Sequence, residues 1–459
     1  MSLNPRSKRA AIGMVVIVAL GYYLFGPSPP EPMDEHSSPG EDYLTAQIVA
    51  SALRMVNMSQ QYMVGHPLPG YPPQVAAPSA AQAGSATAPA LSQRYRRDVH
   101  SKTHGCIKAT FTVLDNLDSR FRYGLFANPG QYQAWIRFSS GNEYPQPDST
   151  HDARGMAIKI MGVKGKKLLE DDGLPPAATQ DFPLMNATRF FIRDISEYAE
   201  FTKYLGSGIG ARAKYGYFLG GFTPDVRKWH LREMMLAEET LKAAPDSLLN
   251  TQFYSVSAFK LGPGNNVKYS ARPCTEPPAA DIDRNDPNFL RKEMVKRLAT
   301  GGACFDFMVQ LQVQGRNMPV EDTTVEWSTK DSPFLPVARL DIPSQQFEVN
   351  NDLCEGLSFS PWHSLPEHRP IGVMNRIRKA VYLEVSRYRR QMNGVPLCEP
   401  KDWDSVDPVS CEKLPAPAEP AHAKKNACQA RPERPAELSY GVISNTEPKL
   451  VLPSPYVVP

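Results

Sequence analysis

Several features that would define common protein classes are missing from these 459 residues. Lys and Arg total 51 against 48 Asp and Glu, so the net charge is only +3. The strong basic excess of a nucleic-acid binder is absent, and no nucleic-acid partner is expected. The seven cysteines (106, 274, 304, 354, 398, 411 and 428) include no CxxC pair, which argues against a zinc or iron–sulfur site. There is no internal repeat. No small-x-small cleavage site follows the N-terminal apolar stretch, where the chain reads LFGPSPPEP instead.

Proline, by contrast, is abundant. The 44 prolines crowd towards the two ends and mark segments outside a folded body. After a basic N-terminus (1–9), residues 10–26, AAIGMVVIVALGYYLFG, carry no charge and follow Arg6, Lys8 and Arg9. That length is near the lower limit for crossing a bilayer. The basic flank predicts a signal anchor, a single-pass transmembrane helix with the body on the non-cytoplasmic side, periplasmic or extracellular. A cleaved signal peptide is the rival. Residues 27–92 read as a Pro- and Ala-rich linker interrupted by one amphipathic helix near 44–64. The folded body is expected at 93–394, followed by a Pro-rich, Cys-containing tail at 395–459. In an exported protein two of Cys398, Cys411 and Cys428 could pair, and the odd number of cysteines leaves at least one thiol free or intermolecular.

Within the body, strands are predicted at 107–113, 134–139, 155–163 and 304–314. In the last, Phe305, Phe307, Val309, Leu311 and Val313 share one face, as the interior of a barrel requires. Helices are predicted at 197–205, 226–244, 288–300 and 371–393. Strands followed by helices indicate an α+β fold on an antiparallel sheet or barrel.

Two clusters carry chemistry. RDVHSKTHGC (97–106) holds His100 and His104 four residues apart, a spacing open to metal binding, acid/base work or a polar turn. On the last helix Arg378, Tyr382 and Arg389 fall within roughly 40° of one stripe at about 100° per residue. Two arginines beside a tyrosine favour its anionic form, and a phenolate can ligate haem iron. The same stripe also suits an amphipathic helix with Tyr382 half-buried and its arginines in solvent.

Six patches in order resemble the catalase superfamily: RDVHSKTHG, WIRFSS, HDARGMAIKI, RFFIRD, FLPVARL and RKAVY. The likeness spans about 93–394 and is nearest to the minimal catalase-related haem proteins, which share an HxKxHGC-like stretch and KYSARP (268–273). The resemblance implies a catalase-like antiparallel β-barrel with surrounding helices, and a haem cofactor. It implies that Tyr382 is the iron ligand, with Arg378 holding its phenolate. Arg97, Arg137 and Arg389 would meet the haem propionates, and Phe190 and Phe191 would wall the cofactor. His100, rather than His104, would be the distal catalytic histidine, oriented by Ser139. Asp152 matches the family's channel carboxylate, or caps a turn. The family's distal asparagine falls on Met185 in an ungapped reading; a one-residue shift brings Asn186 to the peroxide. The resemblance further implies a peroxide substrate, an unidentified electron donor and possible homo-oligomers. Three functions follow: a membrane-tethered peroxidase or weak catalase, a fatty-acid hydroperoxide rearrangement enzyme of the allene oxide synthase type, and a non-enzymatic haem-binding scaffold. The C-terminal helical domain and the recognisable N-terminal arm of full catalases are missing.

Overall fold

The computed structural model describes residues 34–66, 68–69, 95–275, 282–347, 356–412 and 414. The apolar run at 10–26 and Cys428 lie outside them. Among the described residues no helix is long and apolar enough to cross a membrane.

Nine strands form one antiparallel sheet: β1 (Lys102–Val113), β2 (Gly130–Ser140), β3 (Arg154–Met161), β4 (Thr179–Met185), β5 (Phe253–Tyr254), β6 (Phe259–Lys260), β7 (Asn266–Pro273), β8 (Ala303–Leu311) and β9 (Leu335–Ile342). Their order is β5-β4-β3-β2-β1-β9-β8-β7-β6, and a further β5–β7 pairing closes eight of them into a barrel. Closure removes the exposed edges an open sheet would carry.

Alternation along the strands decides what fills the barrel. Ile107, Ala109, Phe111 and Val113 of β1 point inward, as do Ile136 and Phe138 of β2 and Met156 and Ile158 of β3. Phe305, Phe307 and Val309 of β8 join them, with Phe307 5.3 Å from the Phe111 ring and 4.8 Å from Phe182. The apolar alternation continues further than the strand. β8 ends at Leu311, and Val313 packs in a separate cluster with Met318 and Trp327.

Six helices lie outside the barrel among the described residues: α1 (Glu41–Gly65), α2 (Ile195–Leu205), α3 (Ala211–Phe218), α4 (Leu231–Thr240), α5 (Phe289–Thr300) and α6 (Val373–Asn393). The helix expected near 44–64 is α1. Its apolar face, Ile48, Val49, Ala52, Met55 and Val56, packs on Ile195 and Ala199 of α2 and on Ile377, Val381 and Val385 of α6. Arg376 of α6 anchors its start, binding Glu41 at 2.5 Å, Glu321 at 2.9 Å and Glu35 at 3.1 Å.

The single helix expected over 226–244 is broken. A short turn covers Val226–Lys228, and α4 starts only at Leu231. Between them the Trp229 indole donates to Thr223 O (2.8 Å), and the His230 ring stacks on Tyr217 at 4.2 Å. These contacts pull the two residues out of the helix. Beyond Gly394 the described fold continues as a hairpin, in which Cys398 is bonded to Cys411 and Leu397 pairs with Glu412. A second disulfide joins Cys274 to Cys304. The Cys398–Cys411 hairpin carries Glu399 to the buried ammonium of Lys159 (2.5 Å), which Asp181 also holds at 2.7 Å.

Candidate functional site

While one face of β2, β3 and β4 fills the barrel, the opposite face looks outward. Arg137 and Ser139 of β2 alternate with the inward Ile136 and Phe138, and Gly155 and Ala157 of β3 alternate with Met156 and Ile158. Register places Arg137 beside Ala157 and Ser139 beside Gly155, and then Ala157 beside Pro183 of β4. Helix α6 presents Tyr382, Val385, Ser386 and Arg389 to the same space, and Arg97, Asp98 and His100 enter from the segment before β1. Together they line about 680 Å³ of empty space, part of it open to solvent.

His100 is fixed from several sides. Its backbone is left-handed, with φ +58, a conformation rare for a residue with a side chain. Its N–H donates to Gly141 O at 3.1 Å, and its carbonyl accepts from Arg137 Nη2 at 2.9 Å. Its Nδ1 lies 3.0 Å from Ser139 Oγ. A Cβ at Gly155 would come within 2.7 Å of the His100 ring and 2.9 Å of Ser139 Oγ. Only glycine leaves room for this pair. Burial, and then the charges of Arg137, Arg378 and Arg97, push the His100 pKa down to about 3, so the imidazole is neutral at physiological pH.

His104 occupies a different place. Successive strand residues face opposite ways, so Ser139 meets His100 whereas Ser140 meets His104, at 2.8 Å from Nε2. His104 is fully buried, and burial followed by the charge of Lys102 holds its pKa well below the usual value. Lys102 donates to Asp148 (2.6 Å), Pro287 O (2.7 Å) and Gln146 O (2.9 Å). These groups form a polar cluster away from the cavity.

The guanidiniums of Arg97 and Arg389 converge on one carbonyl, Leu357 O, at 2.8 and 3.2 Å. Arg137 donates to Thr103 Oγ1 at 2.5 Å. Asp98 is the carboxyl on the wall, and burial pushes its pKa up to about 6 against the pull of backbone N–H groups and Arg97. Burial and then the Asp98 and Tyr382 charges raise the pKa of Tyr198, behind the wall.

The cavity thus gathers Arg97, His100, Arg137, Ser139, Tyr382 and Arg389. Arg378 lies one helical turn before Tyr382, 3.3 Å from Ser257 Oγ and from Asn375 Oδ1. Phe190 and Phe191 pack with ring centroids 4.5 Å apart, tilted by 40°, in the apolar clusters beneath α2 and α3 rather than on the wall. Asn186 follows β4 directly, and its Oδ1 accepts from Arg154 N at 2.7 Å. It does not line the cavity, nor does Met185, which pairs with Gly155 and Tyr254. Asp152 is buried, accepts from Asn142 N at 3.0 Å and has its pKa raised to about 6 by burial. Three features escaped the sequence reading. Gly155 stood inside a quoted motif with nothing to flag its close approach to His100. Asp98 looked like an ordinary charge. Leu357 O is a backbone atom and leaves no mark in the sequence.

Comparison with known proteins agrees with this architecture. The Catalase family's sequence model matches residues 93–402, and the chain belongs to the catalase family. It is similar to Catalase A of Pseudomonas putida, 23% identical over 315 residues that cover 64% of this chain and 61% of that one. It is also similar to the catalase-related peroxidase of Mycolicibacterium paratuberculosis, 25% identical over 228 residues, covering 48% and 66%. The chain therefore spans about three fifths of the length of the Pseudomonas protein (61%). A crystal structure of a fungal catalase superposes with a TM-score of 0.50 at 18% identity, covering 70% of this chain and 67% of that one. A bacterial catalase gives 0.50 at 17%, covering 65% and 59%. At these identities the structures speak for the fold, a catalase-like eight-stranded antiparallel barrel with helices.

Proposed function

We propose that this protein is a haem peroxidase that reduces hydrogen peroxide or organic peroxides. The observation that carries this reading is the single cavity that brings a neutral, fixed histidine from before β1 to the same space as a tyrosine and an arginine from α6. The donor set fits haem. Arg97, Arg137 and Arg389 supply cations for two propionates, and Tyr382 supplies an oxygen ligand. Gly155 leaves the room on the cavity wall that the His100–Ser139 pair occupies. Bound there, haem would supply a redox-active iron that the side chains cannot.

The residues of the chain handle the proton. With Nδ1 engaged by Ser139, Nε2 of His100 is the nitrogen available for exchange. It takes a proton from one peroxide oxygen and returns it to the other as the O–O bond breaks. A depressed pKa keeps it ready to accept. The carboxamide oxygen of Asn186 is held by Arg154 N, so His100 and Ser139 carry the proton handling. Because Asn186 is held by Arg154 N rather than placed in the cavity, a peroxidase cycle is favoured over dismutation, and an external donor would supply the reducing electrons. The Cys274–Cys304 and Cys398–Cys411 disulfides support a body on the non-cytoplasmic side, behind an anchor at 10–26, because such bonds persist in oxidising compartments.

Oxygen evolution and donor oxidation measured in parallel on the haem-loaded full chain test this reading. Peroxide-dependent donor oxidation with little oxygen supports it. Consumption of a fatty-acid hydroperoxide with neither oxygen nor donor oxidation would assign the rearrangement chemistry instead.

A further inference from the structure

We propose that the segment around α3 is a docking surface for an anionic lipid bilayer. Between Lys203 and Lys228, the exposed side chains other than Ser207 are basic or apolar. Lys203, Arg212, Arg227 and Lys228 are exposed. So are Tyr215, Phe222 and Val226, at 50%, 51% and 60%. The one acid in the span, Asp225, is clasped by Arg227 at 2.8 Å. On α2, Glu200 faces His230 at 3.5 Å. Large apolar side chains on a surface mark an interaction site when they cluster. Aromatic rings among cations are the composition that settles at a charged membrane interface.

Packing holds part of this cluster in place. A Cβ at Gly216 would touch the Tyr204 ring at 3.0 Å and the Phe222 ring at 3.8 Å, so these rings flank Gly216, beside exposed Tyr215. Gly220 abuts Lys228 O, which leaves no room for a Cβ. Three successive residues, Gly220, Gly221 and Phe222, have left-handed backbones (φ +56, +74 and +63). The third is a non-glycine whose ring is held out towards solvent. A strained backbone that exposes an apolar ring is a cost to folding, and such strain collects at functional surfaces. The Trp229 indole donates to Thr223 O at 2.8 Å and holds the tip in shape.

The same segment touches the turn that holds the His100 backbone. Lys214 Nζ donates to Asn142 Oδ1, and Gly141, the neighbouring residue, accepts from His100 N. A bilayer on this face lies beside the segment that holds His100.

The test uses the full chain reconstituted in vesicles, so the apolar run at 10–26 contributes equally to every arm. Phe222→Trp places a reporter at the tip, and its quenching by phospholipids brominated in their acyl chains is measured. Phosphatidylcholine vesicles are compared with vesicles that also contain phosphatidylglycerol. The proposal requires quenching above that of the unsubstituted chain in the anionic vesicles, weakened by salt and lost in Arg227→Glu/Lys228→Glu. Because Phe222 has an unusual backbone, hydrogen exchange over 211–229 in the unsubstituted chain gives a second reading. Anionic vesicles should slow it on the order of tenfold relative to neutral ones. Equal quenching and exchange in both vesicle types overturn the proposal. So does protection that rises with protein concentration in detergent alone, which would assign the patch to a second copy of the chain.

Discussion

Replacing Gly155 with alanine is the sharpest mechanical test of the cavity. The new methyl would lie 2.7 Å from Cε1 and Nδ1 of His100 and 2.9 Å from Ser139 Oγ. The backbone cannot retreat, because Gly155 is paired with Ser139 on one side and Met185 on the other. His100 cannot swing freely either, since Gly141 O and Arg137 hold its main chain. The side chains must part, and the 3.0 Å contact between His100 and Ser139 is lost. Overpacking of this kind costs about 1–3 kcal/mol, which includes the lost hydrogen bond of about 1 kcal/mol. Alanine also restricts the unfolded chain, which returns about 0.4–1 kcal/mol. Gly155→Ala should therefore destabilise by about 1–2 kcal/mol in urea unfolding. Ser139→Gly in the same chain removes one of the two clashing groups, so the pair should be non-additive by at least about 0.5 kcal/mol. Imidazole 15N shifts should report a changed His100 environment. A Gly155→Ala protein as stable as its parent, with an unaltered His100 spectrum and additive behaviour, would refute the packing argument.

Three further outcomes are expected. His368 is fully buried, accepts from Leu125 N at 2.9 Å and has its pKa pushed down to about 3 by burial. The unfolded chain binds a proton at this position below about pH 6.5 and the folded chain does not, so stability falls with pH across that window. The stability advantage of the parent over His368→Phe should shrink by about 1.6 kcal/mol between pH 6.5 and 5, read by urea unfolding at each pH. Lys159→Met leaves Asp181 and Glu399 buried without their cation; a loss of about 3–5 kcal/mol is expected, partly recovered by adding Asp181→Asn and Glu399→Gln. Arg376→Ala removes the cation shared by Glu41 and Glu321 and leaves Glu35 to Arg369 alone; it should cost about 1.5–3 kcal/mol and speed hydrogen exchange across 41–65. Unchanged exchange there would mean that the apolar face of α1 holds it alone.

Much of the fold was legible because period-two and period-3.6 patterns report burial on one face. The β1, β2, β3 and β8 strands and the helices α1, α2, α5 and α6 all carry such patterns. β4 and β7 do not. TQDFPLM contains a proline and a buried, ion-paired Asp181, and NVKYSARP is buried on both faces over most of its length. No alternation marks either. The break before α4 came from Trp229 and His230, whose partners are distant ring and carbonyl groups that helical spacing cannot reveal. The residues that meet in the cavity were legible as types, because His100, Ser139, Arg137 and Tyr382 sit in recognisable strings. Their surroundings were not. The left-handed backbone of His100, the room left by Gly155 and the shared carbonyl of Leu357 are facts of three-dimensional packing. Composition also suggested that the chain after Gly394 was only tail, whereas it delivers Glu399 to the Lys159 cluster.

The central claim is that Tyr382 ligates haem in the cavity opposite His100. The absorption spectrum of the haem-loaded full chain in detergent, recorded before and after peroxide and compared with Tyr382→Phe, tests it most directly. The account predicts a ferric spectrum that shifts or bleaches with peroxide in the parent, and a different spectrum with weakened haem retention in the variant. The same spectrum and the same haem content in both proteins would contradict it.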